Sequence, residues 1–175
     1  QGHVAGGRVF GYDNMTITVP GPDGKPRRSH VERRINEAEA AVVRRLFELC
    51  AQGYGMKTIA VRLNNDRALC PRSQRERPAG WCPSSVREVL YRDLYRGVVV
   101  WNRTRKRDAW GKIQPRNRPE AEWIRREAPG LRIVDEDLWQ AAHDRLAEAR
   151  ALYLRGTDGQ LWGHPARGTE SKYLL

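Results

Sequence analysis

What this sequence has little of already narrows its chemistry. It holds only three cysteines, two phenylalanines and two methionines in 175 residues. Cys50, Cys70 and Cys82 form no CxxC pair, and an odd number closes no complete set of disulfides, which argues against a stapled secreted scaffold. The four histidines, His3, His30, His143 and His164, are scattered without the spacing of metal ligands. No run of ~18 apolar residues exists that could cross a bilayer, and no charged-then-apolar leader opens the chain. The expectation is a reduced, cytoplasmic chain with no metal, no cofactor and no membrane partner.

Positive charge is what the chain has in excess. There are 32 Lys and Arg against 21 Asp and Glu, a net of +11. Such a balance favours a polyanionic partner, nucleic acid before others. The surplus is also regional: residues 71–118 carry 13 basic and 4 acidic residues, whereas 119–175 carry 8 and 10. A membrane-surface role would need those cations on an amphipathic helix. Instead the stretch from Arg103 to Arg118 contains Gly111, Pro115 and Asn117 and reads as a loop or wing.

Local pattern gives the elements. Residues 1–8 hold three glycines and little with which to build a core, so an extended arm is expected over 1–9. Met15, Ile17 and Val19 alternate as a strand does, Pro20-Gly21-Pro22-Asp23-Gly24 turns, and Arg28 to Ile35 returns as a hairpin. Asn36 is an N-cap for a helix whose stripe is Val42, Val43, Leu46, Phe47 and Cys50. Gly53 and Gly55 break it, and Met56, Ile59, Ala60 and Leu63 mark a second helix. After a polar loop, Pro83 opens a third helix, with Ser85 and Glu88 at the spacing of a capping box and Val86, Val89 and Leu90 inward. Gly97 to Trp101 reads as a strand, with Glu122 to Arg126 as its partner. Asp135 to about Arg150 is a last helix with Leu138, Ala142, Leu146 and Ala149 inward, extendable to Leu154, and Arg155 to Thr169 reads as a linker. The fold class is α+β: a helical core with a winged helix-turn-helix-like reader and β-hairpins.

In that reading the third helix is the element that enters the major groove. Its positions off the core are Ser84, Ser85, Arg87, Glu88, Tyr91 and Arg92. Arginine can bond guanine and glutamate can accept from cytosine, while serine or tyrosine can hold phosphate. Arg87 is the expected base reader and Arg92 a phosphate contact. Arg103, Arg105, Lys106 and Arg107 are expected to meet backbone phosphates. An ordinary solvated helix face is the competing reading of the third helix.

Several segments in order resemble the recombinase domain of the large serine recombinases and integrases. They are Ala5-Gly6-Gly7-Arg8 with Gly11-Tyr12, then Glu39 to Leu49, then Ile59-Ala60 to Leu63-Asn64, then Trp81 to Leu90 ahead of Tyr95-Arg96-Gly97. Ser171-Lys172-Tyr173-Leu174-Leu175 is similar to the first strand of the zinc ribbon that follows this domain. One departure is Arg92-Asp93-Leu94, where the family often has Asn-Pro. The resemblance implies double-stranded attachment-site DNA as partner, with this domain on one half-site and the arm before it, Gly6, Gly7 and Arg8, along the minor groove, where small residues allow close approach and arginine favours the negative potential. It also implies a catalytic domain with a serine nucleophile upstream, a zinc ribbon and coiled coil downstream, and a dimer or tetramer of the whole protein on DNA. On that reading residues 10–154 are the DNA-binding domain, and 155–175 a linker and the start of the ribbon.

No catalytic residue is expected in the chain itself. His143-Asp144-Arg145 with Tyr153 has a superficial likeness to a tyrosine-recombinase set, but it lies in an amphipathic helix and reads as a solvated face. Serines 29, 73, 84, 85 and 171 have no convincing base partner in the sequence. The alternative function is a winged-helix transcription regulator without recombinase activity, which would share the same reader.

Overall fold

The computed structural model describes residues 7–23, 25–72, 79–107 and 110–156, with side chains through residue 151. Two antiparallel strands, β1 (Tyr12–Pro20) and β2 (Pro26–Ile35), come first and pair from Tyr12↔Ile35 to Pro20↔Pro26 with a bulge after Ile17. Helices α1 (Glu37–Ala51), α2 (Met56–Asn65) and α3 (Pro83–Leu90) follow. A nested pair of hairpins comes next. Its outer strands are β3 (Val98–Trp101) and β6 (Ile124–Glu127), and its inner strands are β4 (Thr104–Arg107) and β5 (Ile113–Asn117). Helix α4 (Glu136–Gly156) ends the described chain. This is an α+β fold with a helical core and small antiparallel sheets.

Each helix has a local reason to start where it does. The Asn36 side chain accepts from the Glu39 amide, the N-cap expected from sequence, and Glu37 and Glu39 sit in the positive first turn. Helix α3 begins one turn earlier than a Ser85 cap would place it. Cys82 is the N-cap, and Ser85, now at the third helical position, accepts from the Cys82 amide at 3.0 Å. Pro83 explains the shift, because its missing amide and fixed φ belong in a first turn. Two residues fix the entry to α3: Asn64 at the end of α2 accepts from the Trp81 amide (2.8 Å) and donates to the Trp81 carbonyl (2.9 Å). The Trp81 indole donates to the Leu69 carbonyl and stands edge-on to Phe10.

The core lies where α1, α2, α3 and α4 meet the first residues of β1. Val43, Leu46, Phe47, Ile59, Leu63, Val86 and Leu90 are fully buried, as their spacing predicts. Cys50 is buried too, as a small core residue. Two tyrosines on distant parts of the chain stack there with centroids 5.9 Å apart. The Tyr12 hydroxyl donates to the Leu131 carbonyl (2.7 Å) and lies 3.1 Å from that of Leu94, while the Tyr95 hydroxyl donates to the Phe10 carbonyl. Burial pushes both phenols well above their ordinary range, so both stay protonated donors. Gly11, just before Tyr12, has φ +89, and a Cβ there would meet the Ile133 side chain at 3.0 Å.

Four expectations change. The basic stretch after β3 is not a plain loop but the paired strands β4 and β5. Trp123 precedes β6 rather than lying within it, since a short 3-10 turn (Glu120–Glu122) ends there. In α4 it is Trp139, stacked on Phe47 at 5.2 Å, that carries the burial with Ala142, and Ala149 is exposed. Leu138 and Leu146 pack against the core as expected, and the stacking adds Trp139 to that stripe. Helix α4 also runs to Gly156, past the expected start of the linker. Residues 1–6 and 157–175 lie outside the described residues, so most of the expected arm and the ribbon-like end do too.

Replacing Tyr12 with Phe is expected to leave the buried Leu131 and Leu94 carbonyls short of a donor, at a cost of about 1–3 kcal/mol. Urea unfolding should show a lower midpoint with an unchanged slope.

Candidate nucleic-acid interface

Helix α3 presents one face to the core and the opposite one to solvent. Val86, Val89 and Leu90 are buried, and Ser84, Arg87, Glu88 and Tyr91 are exposed. The expected reader residues therefore share a face, but they are not equivalent. The Arg87 guanidinium lies 5.5 Å over the Tyr91 ring, and Tyr91 stands edge-on to His143 of α4. Tyr91 is thus partly a packing residue. His143 is half-buried, stacked on Trp139 at 4.2 Å with Nδ1 at the Trp139 carbonyl, and not the solvated residue expected. Ser85 spends its hydroxyl proton on the Cys82 carbonyl at 2.8 Å, which removes it as a donor to phosphate. Glu88 and Arg92 form a loose ion pair along the helix at 3.5 Å.

The other flank of α3 borders a cleft of about 470 Å³, lined by Arg8, Arg72, Ser85, Glu88 and Arg92 among others. Arg8 and α3 are so brought together from opposite ends of the sequence. Arg8 is tied down, though: it pairs with Glu39 and with Asp13 (3.1 Å), and Glu39 also accepts from the Gly11 amide. Gly7 is exposed, and Gly6 lies outside the described residues. The expected arm is anchored at Arg8, and Val9 packs partly on the core.

Sequence reasoning missed two cations. Arg72 enters the cleft from the loop before α3. Arg33 sits on β2 on the same alternating face as buried Val31; it is half-buried, and its Nε has no hydrogen-bond partner. Burial first, and then the charge of Arg92, hold its guanidinium below the ordinary value. An arginine at an inward strand position was the signal available in the sequence.

The basic hairpin divides likewise. Arg103 is a joint, with its guanidinium 4.6 Å over Trp123 and 3.9 Å from Asp93, while Arg125 covers Trp123 at 5.3 Å. Arg105, Lys106 and Arg107 lie on β4 and are exposed. The strand partner of Arg105 is Arg116.

Two other groups bear on chemistry. Ser29 Oγ lies 2.9 Å from His30 Nδ1, and His30 Nε2 lies 3.1 Å from Glu32, so Ser29 does have a histidine partner. Ser29 and Glu32 are exposed on the β1–β2 ribbon, so the line lacks the desolvated surroundings that activate a nucleophile. Cys82 is exposed, and hydrogen bonding with Ser84 first, then with Ser85, lowers its thiol from 9.0 to about 7. Among the described residues no cluster of His, Cys, Asp and Glu could hold a metal ion, and no helix is long and apolar enough to cross a membrane.

These elements define an α+β domain with a strongly basic outer surface. The chain belongs to the recombinase family: the family model described as Recombinase matches residues 37–149, from the first residue of α1 into α4. A crystal structure described as an LSR–DNA complex is similar at 18% identity and a TM-score of 0.49, over 84% of this chain and 33% of that one. This chain thus spans about a third of that structure's length, and the likeness is too slight to support functional detail. No curated protein matches the chain.

The Cys82 thiol should alkylate with iodoacetamide before buried Cys50, at a rate that rises through pH of about 7. Hydrogen bonds to the thiolate favour it, so Ser84→Ala is expected to move that midpoint upward. Peptide mapping of the alkylated cysteine across pH checks both statements.

Proposed function

We propose that this chain binds duplex DNA at a specific sequence, as the site-binding part of a serine site-specific recombinase. In this reading α2 and α3 act as a helix-turn-helix with α3 in the major groove, and the nested hairpins are the wing. The partner is one half-site of an attachment sequence, and the whole recombinase acts as a dimer or tetramer. The observation that carries the reading is the docking of α3. Its apolar side is buried and its N-terminus is held through Trp81 by Asn64, while Arg87 and Glu88 on its outer side are exposed. Membership of the recombinase family and the concentration of cations in residues 71–118 point the same way.

Roles follow from position. Arg87 is on the outward face, and its fork suits two acceptors of guanine. Arg92 and Arg72 line the cleft and suit phosphate, and so does Arg33, which lies close enough to feel the charge of Arg92, because neighbouring cations gain from an anion between them. Residues ahead of Arg8 would continue into the minor groove, with the DNA-binding domain at 10–154 and 155–175 leading to a further domain. Strand cleavage is assigned to none of the described residues.

Arg87→Ala is expected to cost roughly 1–3 kcal/mol on the selected sequence and to relax preference at one base pair, whereas Arg92→Ala should weaken all sequences alike. Binding-site selection with each variant measures this. A uniform loss in Arg87→Ala would remove Arg87 as a base reader. Neutralising Arg105, Lys106 and Arg107 together should flatten the dependence of affinity on salt, by about 0.9 in slope for each phosphate these side chains neutralise in the wild type. Arg103 is left intact because it braces the base of the hairpin.

A further inference from the structure

The β4–β5 hairpin offers more than charge. Residues 103–118 contain seven Lys and Arg and one acid, and every residue of both strands is exposed. Beside the turn, Trp110 is 92% exposed and Ile113 is 71% exposed. Single exposed apolar residues are ordinary, but an indole and an isoleucine three residues apart, both exposed at the end of a cationic ribbon, mark a contact surface. Arg105 and Arg116 lie directly opposite each other. Like charges so placed repel unless an anion sits near both. Arg107 donates to the Gly111 carbonyl at 2.7 Å and so fixes the turn next to Trp110.

The base of this hairpin is braced. Trp123 is held between Arg103 and Arg125, its indole donates to the Arg118 carbonyl, and Asn102 donates to the Glu122 carbonyl. The hairpin therefore carries an exposed indole and isoleucine on a supported stalk, with exposed Arg105, Arg107 and Arg116 along its strands. Apolar wedges flanked by arginine act on duplex DNA from the minor groove, where the narrow walls concentrate negative potential and a base step can be pried open.

We propose that this end of the hairpin is a DNA wedge: Trp110 inserts at a base step from the minor groove, with Ile113 as a second apolar contact, and bends the duplex, while Arg105 and Arg116 hold phosphates beside it. The proposal rests on the DNA-binding reading above and adds the deformation of the site by the hairpin. Charge complementarity selects DNA as the occupant, since two apolar side chains among seven cations give too small an apolar face for a lipid surface.

The test uses the whole 175-residue chain and a short duplex recovered by binding-site selection, labelled at both ends for energy transfer. One 2-aminopurine is moved step by step along it. Wild type is expected to bring the duplex ends closer and to brighten 2-aminopurine at a single step. Trp110→Ala should abolish both signals and weaken binding roughly 5- to 100-fold. The salt slope should stay unchanged, because no counterion is released by an indole. Trp110→Phe should keep much of the bend, and it carries the test if thermal melting finds the alanine variant unfolded. A chain that binds the duplex but brightens no step, or whose bend survives Trp110→Ala, overturns the wedge. A wild-type chain that binds no duplex overturns the DNA-binding reading itself. Phosphatidylserine vesicles are the control: a Trp110-dependent blue shift with vesicles and none with duplex would assign the tip to a membrane and overturn the proposal.

Discussion

Tyr95 holds together parts of the chain that are far apart in sequence. Its ring stacks on Tyr12 and meets the edge of Phe47, its hydroxyl reaches the Phe10 carbonyl, and its own carbonyl accepts from both Ile133 and Val134. The segment after α3, the start of β1, helix α1 and the approach to α4 thus converge on one side chain and one peptide. Tyr12 answers from the other side through Leu131, 119 residues away. Buried hydroxyls and carbonyls are tolerable only when paired, so loss of one member leaves the other's partners in a dry site. The direction in which α3 leaves the core depends on that arrangement, because Leu94 and Tyr95 follow it almost at once.

Around that centre the charges do different work. Most ion pairs are exposed, and exposed pairs add little to stability. Among the described ion pairs Glu39 is the most sheltered member, with a side chain only 13% exposed. It takes Arg8 and the Gly11 amide together and so joins the first turn of α1 to the residues entering β1. The outward cations of α3 and the hairpins carry little of the fold, which leaves them available for a polyanion.

The sequence made legible what repeats locally. The stripes of α1 and α2, the turn between β1 and β2 and the buried face of α3 follow from residues within a few positions of one another. Strands β4 and β5 were hidden because neither has a buried face, so no apolar alternation marks them; backbone pairing alone defines them. In α4 the expected Leu138, Ala142 and Leu146 do face the core, but the burial of Trp139 beside them was hidden because Phe47, which stacks on it, is far away in sequence. In the candidate site, the reader face was legible from the inward residues of α3. The internal use of Ser85, the lean of Tyr91 onto His143 and the tether on Arg8 were not, since each depends on a partner that sequence spacing does not reveal.

The two hydrogen bonds from Asn64 to the Trp81 backbone have a bearing on how such a domain can change. They close the excursion between α2 and α3 at its neck, much as a ring closes a purse. The position of the reader is then set by the neck and by the core beneath it, and not by the length of chain that leaves and returns. Lengthening a closed excursion adds only slowly to its entropic cost, about 0.6 kcal/mol for each doubling. Insertions there can therefore accumulate, and bring new surface beside α3, while the angle of α3 is inherited intact.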